Sequence, residues 1–316
     1  MAPMLNTLGL VLFVTYFNAH SVLGKGAVSC KDGNGNDVDW FVLYKLPKTK
    51  PAGGKYMLLN GEQMAYRDNR ARVNTWTLLN GSIYDIKNNP VAKTLEPIYK
   101  KEKDVAYAAY NDQLPEGFTG TRGGHTKGIL MAGTGVKMGT VWLQHSVPRF
   151  VEDVNKSYTY PKSGKENGQL FFCMSVHLKS VNTIAIHLIV QAANVYQTNA
   201  PQWAKMFPAF WEVLNRQFPK RNPKELKVDF LLTNRKKLVI AIAKPPNWPK
   251  DIYTQELGHQ MNDSITVQSW QNGAGGAQNK HCSRSYSVTD VTVIGVRTTK
   301  GYAVFSSRED HSKWYV

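Results

Sequence analysis

The chain has 316 residues, of which 42% are hydrophobic and 11% aromatic, a composition that supports a sizeable core and excludes a disordered or membrane-embedded chain. Lysine and arginine number 39 against 23 aspartate and glutamate, which gives a formal net charge of +16. Such a charge attracts polyanions, so nucleic acid, anionic membrane surfaces and acidic glycans are candidate partners, with a basic but inert surface as the alternative.

The N-terminal residues resemble a secretory signal peptide. An apolar run over Leu8–Val14 precedes Val22–Gly24, and the small Gly24 suits cleavage, although no lysine or arginine comes before the run. The run is too short to span a bilayer, and no comparable run follows it. We therefore predict that residues 1–24 are a signal peptide and that residues 25–316 form a translocated, soluble protein without membrane insertion.

Three acceptor sequons for N-glycosylation, at Asn80, Asn155 and Asn262, support entry into the secretory pathway. The chain also has three cysteines, Cys30, Cys173 and Cys282. An oxidising compartment permits one disulfide among them and leaves one thiol over. We expect a glycan on at least one of the three asparagines.

Runs of strand-forming residues recur along the chain. They cover residues 37–44, 105–110, 139–144, 183–190, 228–232, 238–243, 291–296 and 302–305. Several are apolar on both faces, as in Ile184–Val190, and such runs suit a sheet that is covered on both sides by helices. His187, inside that run, is predicted to be a core histidine.

Two segments are predicted to supply the covering helices. One is Ala200–Phe218, interrupted by Pro208, and the other begins at the N-cap Asp251 and runs to about Met261. The Gly- and Asn-rich residues 271–279 are predicted to form a surface loop. These elements assign the chain to the mixed α/β class.

The residues best suited to chemistry are two His-x-Lys pairs, His125 with Lys127 and His311 with Lys313. In an extended segment, side chains two residues apart face the same way, so each pair presents an imidazole and an ammonium group together. Two such pairs, one from each of two half-domains, would converge on a single phosphate. A lone pair of this kind is common by chance, and two exposed loops are the alternative.

Metal-free cleavage of a phosphodiester needs positive charge at the nonbridging oxygens, a nucleophile in line and a proton for the departing alkoxide. Lysines supply the charge, a neutral imidazole can attack, and a protonated imidazole can donate. The reference histidine pKa of about 6.5 makes both forms available in mild acid. No Cys/His cluster has zinc-ligand spacing, and Asp310 is interpreted as a neighbouring loop charge, so we predict neither metal nor cofactor.

Five sequence blocks together resemble the deoxyribonuclease II family. They are Val38–Pro47, Tyr110–Asp112 with Pro115, Gly124–Gly128, His145–Pro148 and Ser306–Trp314. The blocks follow the family order from residue 30 to residue 314. The resemblance therefore covers nearly the whole predicted mature chain.

The resemblance implies a phospholipase D-like pseudo-dimer, with halves at about residues 25–165 and 166–316 and the active site at their interface. It also implies an acid, metal-independent endonuclease that acts on DNA in the lysosome or outside the cell and leaves 3'-phosphate ends. The family's motifs place four catalytic residues on this chain: His125, Lys127, His311 and Lys313. Residues of the same blocks are candidates for substrate binding: His145, Ser146, Asn111 and Arg308. For His145, the alternative is that it holds the site in shape.

We predict a mechanism in which His125 attacks phosphorus to give a phosphohistidine and His311 protonates the 5' oxygen, with reversed roles open. Family members continue for some tens of residues beyond the second pair and carry more cysteines, whereas this chain stops at Val316. By resemblance, Cys30 pairs with Cys173. Cys282 is expected to lack its partner.

Two other functions are compatible with the sequence. An inactive, basic pseudoenzyme or toxin-like homologue would bind DNA or another polyanion without cutting it. A lipid phosphodiesterase on the same fold is the third possibility, and it is disfavoured because the matching blocks extend beyond the two pairs. The sequence leaves the oligomeric state and the strand preference open.

Overall fold

The computed structural model describes residues 26–49, 55–120, 122–219, 223–269, 281–282 and 285–316. The predicted signal peptide and the predicted 271–279 loop lie outside these residues. The strands are β1 (Cys30–Lys31), β2 (Asp37–Val38), β3 (Trp40–Lys45), β4 (Met64–Asp68), β5 (Thr77–Leu78), β6 (Val105–Tyr110), β7 (Gly128–Gly133), β8 (Gly139–His145), β9 (Gln169–Val176), β10 (Val195–Asn199), β11 (Lys227–Leu232), β12 (Leu238–Ala243), β13 (Ile265–Gln268), β14 (His281–Cys282), β15 (Ser287–Asp290), β16 (Val293–Thr298), β17 (Gly301–Ser306) and β18 (Trp314–Tyr315).

In the part of the chain that the structure describes, helical segments are fewer than strands. The α-helices are α1 (Pro90–Tyr99), α2 (Val181–Val190), α3 (Pro208–Leu214) and α4 (Gly258–Met261), the last preceded by a π-helical turn at Ile252–Leu257. Short 3-10 turns cover Gly135–Lys137, Lys162–Gly164, Leu178–Ser180, Gln202–Met206 and Ser307–Glu309. The fold is therefore mixed α/β, as predicted. None of the described helices is long and apolar enough to span a bilayer.

An eight-stranded antiparallel sheet organises the molecule, with the strand order β10-β6-β7-β8-β9-β3-β4-β5. Every residue of β6 and β7 is buried. These central strands are apolar throughout because both faces of the sheet are covered. Strands β9 and β10 lie beyond residue 166, so this sheet draws on both of the proposed halves, whose division stays a prediction.

Each face of the sheet carries its own core. On one face, α1 packs Val91, Leu95 and Ile98 against sheet residues, and the disulfide between Cys30 and Cys173 lies in this core. The predicted pairing is confirmed. The exposed Cys282 is a free thiol in the part of the chain that the structure describes. On the other face, α2 and α3 pack against the sheet.

The segment that we predicted as a strand over residues 183–190 is instead the helix α2. Its burial leaves only Asn182, Thr183 and Ile186 partly exposed, so a run that is apolar all round has no periodicity to separate helix from strand. Its ten residues are long for a strand and suit a helix. His187 is fully buried, as expected of a core histidine, and its Nε2 lies 2.8 Å from the carboxylate of Asp229.

The two helix predictions are confirmed in outline. The segment over residues 200–218 splits into a 3-10 turn at Gln202–Met206 and helix α3, because Pro208 occupies the first helical position, where its missing N–H needs no partner. Asp251 is an N-cap, since its carboxylate accepts hydrogen bonds from the backbone N–H groups of Tyr253 and Thr254, at 2.9 and 2.8 Å.

Smaller sheets complete the second part of the chain. The β11–β12 hairpin packs Leu231 and Ala241 against the α2 side of the large sheet. A four-stranded sheet has the order β14-β15-β13-β18. The β16–β17 hairpin packs Ile294 and Phe305 near β3 and β4. Strands β17 and β18 flank the second His-x-Lys pair.

Candidate functional site

The first His-x-Lys pair lies in the loop that leads into β7. A side chain at Gly124 would place its Cβ 1.8 Å from the carbonyl oxygen of Gln191, so only glycine allows this close approach to the end of α2. The Gly124 N–H donates to the carbonyl of Ala192 at 3.1 Å, and the Thr126 hydroxyl donates to the Gln191 side chain at 3.0 Å. These contacts fix the loop that carries His125.

The carboxylate of Asp112 lies close to both members of this pair, His125 and Lys127. Asp112, two residues after β6, forms an ion pair with the ammonium group of the buried Lys127. Its other oxygen lies 3.6 Å from Nε2 of His125, whose side chain is more exposed. Asp112 therefore fixes the Lys127 ammonium group and lies beside the His125 ring, a position that the sequence did not predict. Its place in the Tyr110–Asp112 block was the available signal.

The second pair lies between the 3-10 turn at Ser307–Glu309 and β18. The turn begins with a capping box in which the side chains of Ser306 and Glu309 each accept a hydrogen bond from the other's backbone. The His311 N–H donates to the carbonyl of Gly168 at 2.9 Å, and the Gly168 N–H donates to the carbonyl of Glu309 at 2.7 Å. These bonds hold the turn against the segment that enters β9.

Residues from both pairs line one cavity of about 230 Å³. Its lining consists of His125, Thr126, Lys127, Gln144, His145, Ser146, Leu170, Phe172 and Lys313. His311 is not among the lining residues, but it lies two positions before Lys313, and the charges of Lys313, Lys45 and Lys127 lower the pKa of its imidazole further than burial alone. The cavity thus brings Lys313 of the second pair together with both members of the first pair, although the two pairs are far apart in the sequence.

Burial and neighbouring lysines lower the pKa of the imidazole in both pairs. Burial lowers the pKa of His125, Lys127 and Lys313 lower it further, and Asp112 opposes them. Burial and the neighbouring lysines lower the pKa of His311 to about 4. Burial and Lys127 lower the pKa of Lys313 to about 8. The cavity is therefore a cationic site with largely neutral histidines at neutral pH.

His145 ends β8 at the cavity wall. Its Nδ1 accepts a hydrogen bond from the backbone N–H of Val147 at 3.2 Å, so the proton of the neutral ring resides on Nε2. Burial and the charge of Lys127 hold the pKa of His145 well below its usual value. Nε2 is buried and has no hydrogen-bond partner among the described residues. His145 is thus suited to donate a hydrogen bond to a ligand oxygen without carrying charge.

Lys45, at the end of β3, is a buried cation that the sequence analysis did not identify. Its ammonium group donates to the carbonyl oxygens of Lys165 and Asn167, at 2.7 and 2.5 Å. Burial lowers its pKa to about 7, and Asp310 opposes this shift. A lysine that ends a strand before Pro47 carries no sequence signal of burial, because lysines usually remain exposed.

Asp310 is not the loop charge that we predicted. It is fully buried and accepts hydrogen bonds from the Tyr44 hydroxyl at 2.5 Å and from the Ser312 N–H at 3.1 Å. Burial raises the pKa of Asp310. The segment that carries His311 and Lys313 packs onto β3. The Asp310 carboxylate therefore points inward. Within the described ranges, no three His, Cys, Asp or Glu side chains are grouped to hold a metal ion.

The predicted substrate-binding residues differ in position. Ser146 lines the cavity, and its hydroxyl lies 2.5 Å from the side-chain oxygen of Gln169. Arg308 is exposed on the 3-10 turn. Asn111 is fully buried, and its amide donates to the carbonyls of Val147 and Phe150, at 3.0 and 2.8 Å. We therefore reassign Asn111 from substrate binding to positioning of the segment after His145.

The family model and the relatives that match this chain all point to the same family. The family model described as Deoxyribonuclease II matches residues 29–316. The chain is similar to cell-death-related nuclease 7 of Caenorhabditis elegans, with 31% identity over 96% of this chain and 79% of the relative. It is 31% identical to deoxyribonuclease-2-beta of Mus musculus, over 97% and 83% of the two chains, and 32% identical to deoxyribonuclease-2-alpha of Rattus norvegicus, over 92% and 81%.

Proposed function

This chain belongs to the deoxyribonuclease II family, and we propose that it is an acid, metal-independent endonuclease that hydrolyses DNA to 3'-phosphate ends. The observation that carries the proposal is the cavity that Lys313 shares with His125 and Lys127. Metal-free cleavage of a phosphodiester needs positive charge, a nucleophile and a proton donor at one point, and the two pairs supply them. We propose that His125, Lys127, His311 and Lys313 are the catalytic residues.

We also propose that the fold is the phospholipase D-like pseudo-dimer, with one pair from each half. The positions of the two pairs in the fold support this arrangement. The first precedes the central strand β7 and the second precedes β18, so each lies in a connection that opens at the same cavity. The halves would comprise residues 25–165 and 166–316.

In the bound state, the phosphate lies among the ammonium groups of Lys127 and Lys313, which neutralise its nonbridging oxygens. Nε2 of His145 donates a further hydrogen bond to the phosphate, a role supported by its place at the cavity wall and by its lack of another partner among the described residues. Asp112 stays paired with Lys127 and fixes its position. Burial and the neighbouring lysines lower the pKa of His311. A bound phosphate offsets the charges of those lysines, so His311 gains a proton more readily once DNA is bound.

We propose that catalysis proceeds in two steps. The neutral imidazole of His125 attacks phosphorus, the bond to the 5' oxygen breaks, and protonated His311 donates its proton to that oxygen. His311, now neutral, takes a proton from water as the water attacks the phosphohistidine. The phosphorus–nitrogen bond then breaks and releases the 3'-phosphate. Exchange of the two histidine roles gives the same products.

We propose that the protein acts in the lysosome or outside the cell after passage through the secretory pathway. The three predicted glycosylation sites support this proposal, since Asn80, Asn155 and Asn262 are all exposed and accessible to a bulky glycan. Mass spectrometry of the protein from its natural source tests the glycans. A full-length, unglycosylated product would contradict this location.

The activity is tested by nicking of supercoiled plasmid at about pH 5 in the presence of a chelator. The proposal predicts nicks whose 3' ends become extendable by a polymerase only after phosphatase treatment. Cleavage that requires added divalent metal would contradict the metal-independent mechanism. Tight DNA binding without cleavage would support the polyanion-binding alternative instead.

A further inference from the structure

The β11–β12 hairpin carries an exposed apolar face. Phe230 pairs with Ile240 and Leu232 pairs with Leu238, so the four side chains lie on one side of the two strands. Their exposed fractions are 67%, 44%, 52% and 60% in that order. The opposite side of the hairpin is the one that packs into the core. A contiguous exposed cluster of this kind marks an interaction surface more often than isolated apolar residues do.

Three consecutive cations occupy the turn at the end of this apolar face. Arg235, Lys236 and Lys237 are all exposed, and no acidic residue lies between Leu232 and Leu238. The turn is fixed, because the buried carboxylate of Asp39 accepts the Arg235 N–H at 2.9 Å and the Thr233 hydroxyl at 2.6 Å. Positive charge is thus held at the edge of the apolar side chains.

This hairpin face, defined by Phe230, Leu232, Leu238, Ile240 and the turn cations, lies away from the candidate active site. Thr233 forms a β-bridge with Val176 at the end of β9, whereas Leu170 near its start lines the cavity. Six residues of strand separate the two positions by about 20 Å, at about 3.3 Å per residue. The face can therefore be occupied while the cavity holds a substrate.

We propose that this hairpin face docks the protein on the surface of an anionic lipid bilayer. An apolar face bordered by cations matches the bilayer interface, where acyl chains receive the apolar side chains and anionic headgroups attract the cations. A DNA surface would match the turn cations but leave the four apolar side chains in water. A second copy of the chain would bring a surface with the same positive charge.

The test uses the full chain and vesicles made of phosphatidylcholine with phosphatidylserine in equal parts. Co-sedimentation is expected with these vesicles and is expected to be lost with phosphatidylcholine alone. Phe230→Ser with Ile240→Ser should weaken binding by about tenfold or more, and neutralising the turn with Arg235→Gln, Lys236→Gln and Lys237→Gln should do the same. Cleavage of free plasmid should be unchanged in both variants, which shows that they fold.

A matched control comes from the turn between β7 and β8. Val136 and Met138 are also exposed, and Val136→Ser with Met138→Ser should leave vesicle binding intact. Absence of binding to the anionic vesicles would overturn the proposal. So would vesicle binding that is unchanged by the Phe230 and Ile240 substitutions. A hairpin variant that instead loses DNA affinity, or converts a dimer to a monomer in sedimentation, would assign the face to nucleic acid or to a second copy.

Discussion

At the scale of single residues, Asp112 has two opposed effects on the cavity. Its carboxylate holds Lys127 in a fixed position, which favours charge neutralisation at a bound phosphate. The same negative charge raises the pKa of His125, against burial and two lysines that lower it. The net effect is a pKa of His125 below its usual value, which favours the neutral imidazole that the proposed attack on phosphorus requires.

Asp112→Asn is expected to lower the pKa of His125 further. The substitution removes the negative charge that stabilises the imidazolium and leaves burial, Lys127 and Lys313 to oppose it. NMR titration of the imidazole signals measures the shift. Asp104→Asn, at an exposed position, is the control. A His125 pKa that stays constant or rises would contradict this role.

Loss of either cavity lysine should slow cleavage more than it weakens binding. Lys127→Ala or Lys313→Ala is expected to lower kcat/KM. The loss corresponds to about 2–4 kcal/mol of transition-state stabilisation, as for a lost oxyanion donor. Single-turnover cleavage at pH 5 measures this loss. Lys87→Ala, at an exposed site, should cost far less. Equal effects of all three substitutions would indicate general charge attraction instead.

At the scale of elements, the turn after β17 depends on a buried polar contact with β3. Tyr44→Phe removes the hydroxyl that donates to Asp310 but keeps the ring that packs on Trp76 and Phe305. We expect about 1–3 kcal/mol of destabilisation, since a buried carboxylate loses a donor. Urea denaturation measures it, with Tyr302→Phe as the exposed control. Unchanged stability would show that the contact is dispensable.

The sequence predicted some elements well because their local signals agree with their environment. Strands β6 and β12 match their predicted ranges, and the N-cap of Asp251 was identified from side-chain chemistry alone. Helix α1 was missed, although Asn89 caps it and Pro90 begins it, because its apolar residues are interrupted by Pro97. The prediction of a strand where helix α2 lies was wrong because the burial of most of its residues leaves no clear periodicity.

Prediction of the candidate site from sequence was limited to its motifs. His125, Lys127, His311 and Lys313 stand out by repetition and by family resemblance. Lys45 and the buried position of Asp310 depend on how β3 packs against a turn about 265 residues later, which no local pattern encodes. Long-range packing of this kind is the part that sequence reasoning cannot supply without the fold.

At the scale of the whole molecule, the disulfide closes a long loop. Cys30 and Cys173 are 143 residues apart, and removal of the bridge by Cys173→Ser is expected to cost about 2–5 kcal/mol of unfolding free energy. Chemical denaturation under non-reducing conditions measures the cost. Cys282→Ser, at the exposed free thiol, should have little effect. Equal stability of the two variants would show that the disulfide does not stabilise this fold.

The central claim is that two distant His-x-Lys pairs act as one catalytic unit. Plasmid nicking at pH 5 with a chelator, compared for His125→Ala, His311→Ala and the double variant, tests it most directly. Because residues that act together are strongly non-additive, each single substitution should remove nearly all cleavage, and the double substitution should cost little more. DNA binding should survive in all three. Acid nuclease activity that persists in His311→Ala would contradict the two-pair mechanism.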